Sequence, residues 1–287
     1  MPLATPTEFV KEKVLALQEY SLLAGRSLAN LFARPRYFGD TLQQADMIGV
    51  GSLPIVVLTG FFTGAVLALQ SANTLQRFGS LSLIGQLVSL SMVRELGPVL
   101  TGLMVAGRNA SGMASELGSM QVTEQVDALR MNNVDPIDYL IVPRFIASLV
   151  MTGVLTSIGV TVALVMGALT AWSSFHLNPV VFMDPSHVHW GDLGTGIVKC
   201  AAYGAAIPIV AGFCGLGARG GSEGVGAATT RAVITSSFVV IVLDFVILLL
   251  PLPVLTKLRV PKANKIAVFS IFALGILSVS HSFSLLQ

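Results

Sequence analysis

Arg94, Glu95 and Pro98 stand together inside an otherwise apolar run, LSMVRELGPVL. An ionisable side chain within a membrane span costs about 2.5–3.5 kcal/mol on insertion scales, so such groups face a cavity or a partner. Neighbours on a helix point about 100° apart, so these two charges cannot simply neutralise one another. Pro98 is expected to break or kink the helix beside them. A re-entrant or broken helix lining a water- or headgroup-accessible cavity accounts for all three residues. Pairing with another span, through Lys199 or Asp244, is the alternative.

No catalytic set accompanies the pair. The sequence contains no G-x-x-x-x-G-K-[ST], no H-E-x-x-H, no G-x-S-x-G and no cluster of Cys with His, so neither ATP binding by a P-loop nor metal or serine hydrolysis is expected. His176, His187 and His189 share a stretch with Asp184 and Asp192, but the spacing is irregular and no metal site is expected there. Cys200 and Cys214 both lie in an apolar segment and read as small hydrophobes. No cofactor and no catalytic residue are assigned.

The second feature is a polar, helix-capable segment, TEQVDALRMNNVDPIDYLIVPR, wedged between two apolar ones. Val122, Val126 and Leu129 would share one helical face, with Glu124, Asp127 and Arg130 off it. Asp135-Pro136 is expected to stop this helix, since proline neither donates nor fits within one. The expected result is a short amphipathic helix at the membrane surface, either a lever for a soluble partner or an ordinary solvated loop helix.

These features need a frame. The chain has 287 residues, 53% hydrophobic and 11% charged, with mean hydropathy +0.78. Soluble domains carry roughly 25% charged residues, so this is an integral membrane protein. The apolar runs lack the alternation of barrel strands and predict helices. A net charge of +2 gives no argument for nucleic acid. Five segments predict spans: about 48–70, 81–107 continuing to about 118, 145–172, 195–217 and 232–252. Residues 8–34 mix charges with apolar positions and predict an interfacial helix, with no cleavable signal core. The tract AGRNASGMASELGSM carries small residues at four-residue intervals, Ala106, Ala110, Ala114, Gly118 and Gly107, Ser111, Ser115, Ser119, which permit close helix approach. The run GLGARGGSEGVGAATTR is expected to be a flexible connector.

Lys and Arg precede the first span and cluster around the segment after the second and the loop after the fourth. This places those regions, and the amino terminus, in the cytoplasm. Lys257, Arg259, Lys262 and Lys265 break the alternation, and a further apolar segment, 266–286, follows them. Three divisions result: residues 1–45, the interfacial helix; 46–255, the spans with the lever near 121–136; and 256–287, a basic linker with a possible sixth helix.

The run from LSMVRELGPVL to DPIDYLIVPR resembles the signature of the MlaE-type permeases, membrane subunits of ABC transporters that work with MCE-domain proteins. The resemblance continues through FIASLVMTG and GVGAATTRAVITSSFVVIVLDF and covers roughly residues 8–252. It implies an all-α homodimeric permease with an interfacial amino-terminal helix and five spans. It also implies a cytoplasmic ABC ATPase that carries out ATP hydrolysis, a periplasmic MCE protein, and phospholipid movement at the inner membrane. By position it implies that Glu124, Asp127, Ala128, Leu129, Met131, Asp135 and Pro136 belong to a coupling helix docking into the ATPase. It likewise implies that Arg94, Glu95, Leu96 and Pro98, with Leu69 and Gln70 of the first span, border a lipid cavity between subunits. Arg94 would attract a phosphate and Glu95 would position it or contact an amine. A non-transporting scaffold and an intramembrane enzyme are the competing readings; the first has no need of costly intramembrane charges, and the second lacks a second catalytic group.

Overall fold

The computed structural model describes residues 37–249 except 185 and 187, together with Gln18 and Gly25. Apart from Gln18 and Gly25, the expected interfacial helix over 8–34 lies outside the described residues, as does the segment 266–286. Among those described, seven helices follow in order. They are α1 (Phe38–Arg77), α2 (Leu81–Val122), α3 (Gln125–Met131), α4 (Ile137–Phe175), α5 (Pro179–Phe182), α6 (Trp190–Leu216) and α7 (Gly221–Leu249). Five of them, α1, α2, α4, α6 and α7, are long and apolar enough to cross a membrane, and no strand occurs among the described residues. The chain divides into two compact units, 1–243 and 244–287; the described part of the second is the last turns of α7, up to Leu249.

The largest helix-on-helix contact joins α1 to α4, and glycine makes it. The buried edge of α1 runs through Ser52, Val56, Gly60, Gly64 and Ala68, nearly all small residues at i, i+4. A Cβ on Gly60 would press against the carbonyl of Gly159, and one on Gly64 would overlap the backbone of Ala163. Gly60 to Gly64 is therefore a G-x-x-x-G contact, in which lost side-chain volume lets two backbones touch and gain dispersion along their length. α2 packs on α6 by the same means. Ala106, Ala110 and Ala114 are fully buried with Tyr203, Ile207 and Ala211, and Gly215 fits against the carbonyl of Ala114. One of the two small-residue rows is thus spent within the chain. The other, Gly107, Ser111, Ser115 and Ser119, is half-buried or exposed.

Two helices contain a widened turn. α2 is π-helical over Met92–Leu96, with the Gly97 N–H bonded back to the Met92 carbonyl. α4 is π-helical over Ile137–Ile141, with the Val142 N–H bonded to the Ile137 carbonyl. Each is followed at once by a residue and then a proline, Pro98 and Pro143. Proline lacks an N–H and its ring crowds the carbonyl four residues back. One extra residue in the preceding turn moves that carbonyl aside. The break expected at Pro98 therefore does not occur: α2 runs continuously from Leu81 to Val122.

The glycine-rich connector is also shorter than its composition suggests. α7 starts at Gly221, so Ser222 to Arg231 are helical. The turn itself is made by Gly220 and Gly221, at φ 92° and 72°, values open to glycine at little steric cost.

Candidate functional site

Arg94 and Glu95 leave the π-helical turn of α2 in different directions, yet both end on α6. Arg94 Nη1 lies 3.5 Å from Asp192 Oδ1, and Glu95 is ion-paired with Lys199. Asp192 and Lys199 are seven residues apart, two turns on one face of α6. Asp192 is also fixed by its own helix, because its second oxygen accepts the backbone N–H of His189 at 3.0 Å in a capping box. Lys199 is 2% exposed while the Glu95 side chain remains 39% exposed and that of Arg94 48%. So the pairing with another span that sequence left as the alternative is what forms, through Lys199 for Glu95 and through Asp192, which sequence did not suggest, for Arg94. Each outer edge of the two pairs still faces open surface.

The other four residues assigned to this region are not gathered around the charges. Leu96 is half-buried against the cluster formed by Ala68, Met92 and Ala163. Leu69 and Gln70 lie on the exposed side of α1. Pro98 is buried and lines a groove of about 640 Å³ between α2, α4 and α6, with Val93, Leu149, Gly153, Trp190 and Ile197 among its walls. It is the only one of the six that does.

At the opposite end of α2, the Glu124 backbone turns at φ 61° and starts α3. Val126 is fully buried with Leu117, Leu140 and Ile141, and Leu129 packs on the same cluster. Two residues of the lever's apolar stripe, Val126 and Leu129, thus pack against the helix bundle itself, with Leu129 still partly exposed. What α3 presents outward is Asp127, Ala128, Arg130 and Met131, with Met131 85% exposed and Arg130 paired to Asp127 at 2.9 Å. Glu124 and Asp135 are exposed and Pro136 is buried.

The helix stop differs from expectation. α3 ends at Met131, and Asn133 takes φ 59°. Val134 N–H bonds the Leu129 carbonyl at 3.0 Å and Asn133 N–H that of Arg130 at 3.0 Å, which is a Schellman closure. Asp135-Pro136 does not end α3 but opens α4: the Asp135 carboxylate accepts the Ile137 N–H at 2.9 Å, a capping role. Nearby, Arg144 is buried, donates to the Leu140 carbonyl at 2.6 Å and pairs with Glu116 of α2 at 2.8 Å. Arg144 thus ties α4 to α2, and Val126 and Leu129 of α3 pack against residues of both. No group of three His, Cys, Asp or Glu among the described residues is placed to hold a metal.

The family model described as "Permease MlaE" matches residues 41–250. A "Fungal rhodopsin domain" model also matches 223–286, far short of half the chain, and shows no family. The chain is 39% identical over 79% of its length to a "Probable ABC transporter permease protein" of Rickettsia felis, covering 89% of that protein. It is 37% identical over 74% of its length to the "Intermembrane phospholipid transport system permease protein MlaE" of Haemophilus influenzae, covering 82% of it. It is 36% identical over 79% of its length to "Protein TRIGALACTOSYLDIACYLGLYCEROL 1, chloroplastic" of Arabidopsis thaliana, covering 65% of it. The chain belongs to the MlaE permease family.

Proposed function

We propose that this MlaE-family permease is the inner-membrane subunit of an ABC transporter that moves phospholipid. It acts as a homodimer with a cytoplasmic ATPase and a periplasmic MCE-domain protein, its amino terminus in the cytoplasm. The substrate class follows the name of the Haemophilus relative. The chain itself supplies no nucleotide-binding loop, so ATP hydrolysis belongs to the partner.

The observation that carries this reading is the mounting of α3. A seven-residue helix is far too short to be stable alone, yet this one is held by a buried Val126 and a Schellman closure, against α2 and α4 that an Arg144–Glu116 pair ties together. Its outward face is left to Ala128, Met131, Asp127 and Arg130. Force applied there is passed to α2 and α4 rather than absorbed by a loop. α2 carries Arg94 and Glu95 in its far half, roughly 40 Å away at 1.5 Å per residue. First, second and fifth spans from two subunits, α1, α2 and α7, enclose the lipid, with Arg94 near its phosphate. Leu69, Gln70, Glu95, Leu96 and Pro98 border or support that cavity.

Met131→Asp tests the docking face without touching the buried side of α3. Loss of ATPase co-purification and of ATP-dependent lipid movement in proteoliposomes is the expected result. An intact, active complex refutes the assignment of α3.

A further inference from the structure

At the α3 end of the bundle, α1 and α2 part to form a crevice of about 410 Å³. Its polar walls are Gln44, Asp46, Arg108, Asn109 and Glu116, and its apolar ones include Met47, Ile48 and Val50. Asp46 immediately precedes the apolar run of α1 that starts at Met47, which puts the crevice at the depth where headgroups meet acyl chains. We propose that this crevice binds the headgroup of an aminophospholipid, Arg108 taking the phosphate and Asp46 the primary ammonium.

The guanidinium is held but not neutralised. Arg108 Nη1 donates to the Met47 carbonyl at 3.3 Å, to Ser52 Oγ at 3.1 Å and to Asn109 Oδ1 at 3.4 Å. Its Nε and Nη2 have no hydrogen-bond partner among the described residues, and no carboxylate lies within ion-pair distance. The arrangement depends on Gly51, where a Cβ would collide with both terminal nitrogens of Arg108. Asn109, 6% exposed, accepts from Ser52 at 3.2 Å and leaves its Nδ2 without a partner. Of the two carboxylates, Glu116 is engaged by Arg144, and exposed Asp46 has no ion pair among the described residues. A positioned cation and a separate free anion on one crevice, with apolar side chains beside them, match a zwitterion whose phosphate and ammonium are a few bonds apart. An anionic lipid lacking the amine would use Arg108 alone. This site lies about 20 Å along α2 from Arg94 at 1.5 Å per residue. It rests on the chain's place in a membrane and not on the role given to Arg94.

The test uses the full-length protein in nanodiscs with phosphatidylethanolamine or phosphatidylglycerol, lipid retention being read by native mass spectrometry. Arg108→Ala is expected to weaken retention of both lipids about tenfold, and Arg108→Lys to restore part of it. Asp46→Asn is expected to weaken phosphatidylethanolamine alone. A photo-crosslinking residue in place of Gly112, which lines the crevice and has open space at its Cβ position, is expected to capture lipid, and still to do so when Arg94 is changed to Glu. Unchanged retention in both Arg108→Ala and Asp46→Asn overturns the proposal, as does capture of protein alone. Equal loss of both lipids in Asp46→Asn overturns the ammonium assignment. Should Arg108→Ala fail to fold, the Gly112 probe in the unaltered background decides.

Discussion

Lys199, 2% exposed in α6, reaches across to Glu95 of α2, whose side chain is still 39% open. The two ends of this ion pair are unequal, so its two single deletions will be unequal too. Removing Glu95 takes the carboxylate away from a buried ammonium, whereas removing Lys199 leaves a carboxylate that retains access to its surroundings. Glu95→Ala is expected to destabilise the permease by about 3 kcal/mol and Lys199→Met by clearly less, read from thermal unfolding in detergent. Equal losses would show that the burial of Lys199 does not govern the pair.

The α1–α4 seam makes a sharper demand. Gly64→Val places carbon into the backbone of Ala163, where nothing can rotate aside, and should cost about 3 kcal/mol or more with a fall in folded yield. Gly107→Ala, with nothing within 4 Å of the added carbon, should leave monodispersity and melting temperature unchanged.

The two sides of α3 should separate stability from coupling. Val126→Asp buries a charge among Leu117, Leu140 and Ile141 and is expected to cost about 3 kcal/mol in stability. Met131→Asp should leave the melting temperature within about 0.5 kcal/mol-equivalent of the parent while weakening ATPase attachment. If both melt alike and both keep the ATPase, α3 is an inert loop helix.

Asn133 at φ 59° closes α3. Asn133→Val forces a β-branched residue into the left-handed region and should lose about 1–2 kcal/mol, while Asn133→Gly should be neutral or stabilising. Chemical denaturation of the pair of variants measures the difference.

Topology is open to a direct reading because Cys200 and Cys214 are both buried. A cysteine placed at Asp127 should react with a membrane-impermeant maleimide from the cytoplasmic side, and one at Trp190, 89% exposed, from the opposite side. Labelling of Asp127 from the far side would remove α3 from the reach of any ATPase.

The five membrane-crossing helices were legible in the sequence because each holds a long apolar run, but their ends were not. The apolar run 48–70 sits inside a helix that extends from Phe38 to Arg77, since polar residues can continue a helix beyond the lipid. The glycines after Gly221 were misleading for a related reason: tertiary packing of Ala228 and Ala232 outweighs a weak local propensity. Lys199 was within reach as a partner of Glu95, while Asp192 was not, because which residues meet across two helices depends on rotation and register that composition does not encode. The G-x-x-x-G at Gly60 and Gly64 was visible by spacing and went unread beside the more obvious tract in α2. The positions of Leu129 and Asp135 turned on a stop supplied by Asn132-Asn133, a weaker textual signal than the proline that follows.

The widened turns before Pro98 and Pro143 each hold one residue more than a regular turn. Because the i→i+5 bond takes up that residue locally, the halves of α2 on either side keep nearly the phase and rise of an uninterrupted helix. Deleting one residue from Met92–Leu96 would therefore leave the Ala106–Ala114 edge turned toward α6, but it would bring the Pro98 ring back against the carbonyl four residues earlier. The surplus residue is thus clearance for the proline, and its deletion should be tolerated better when Pro98 is replaced by alanine at the same time.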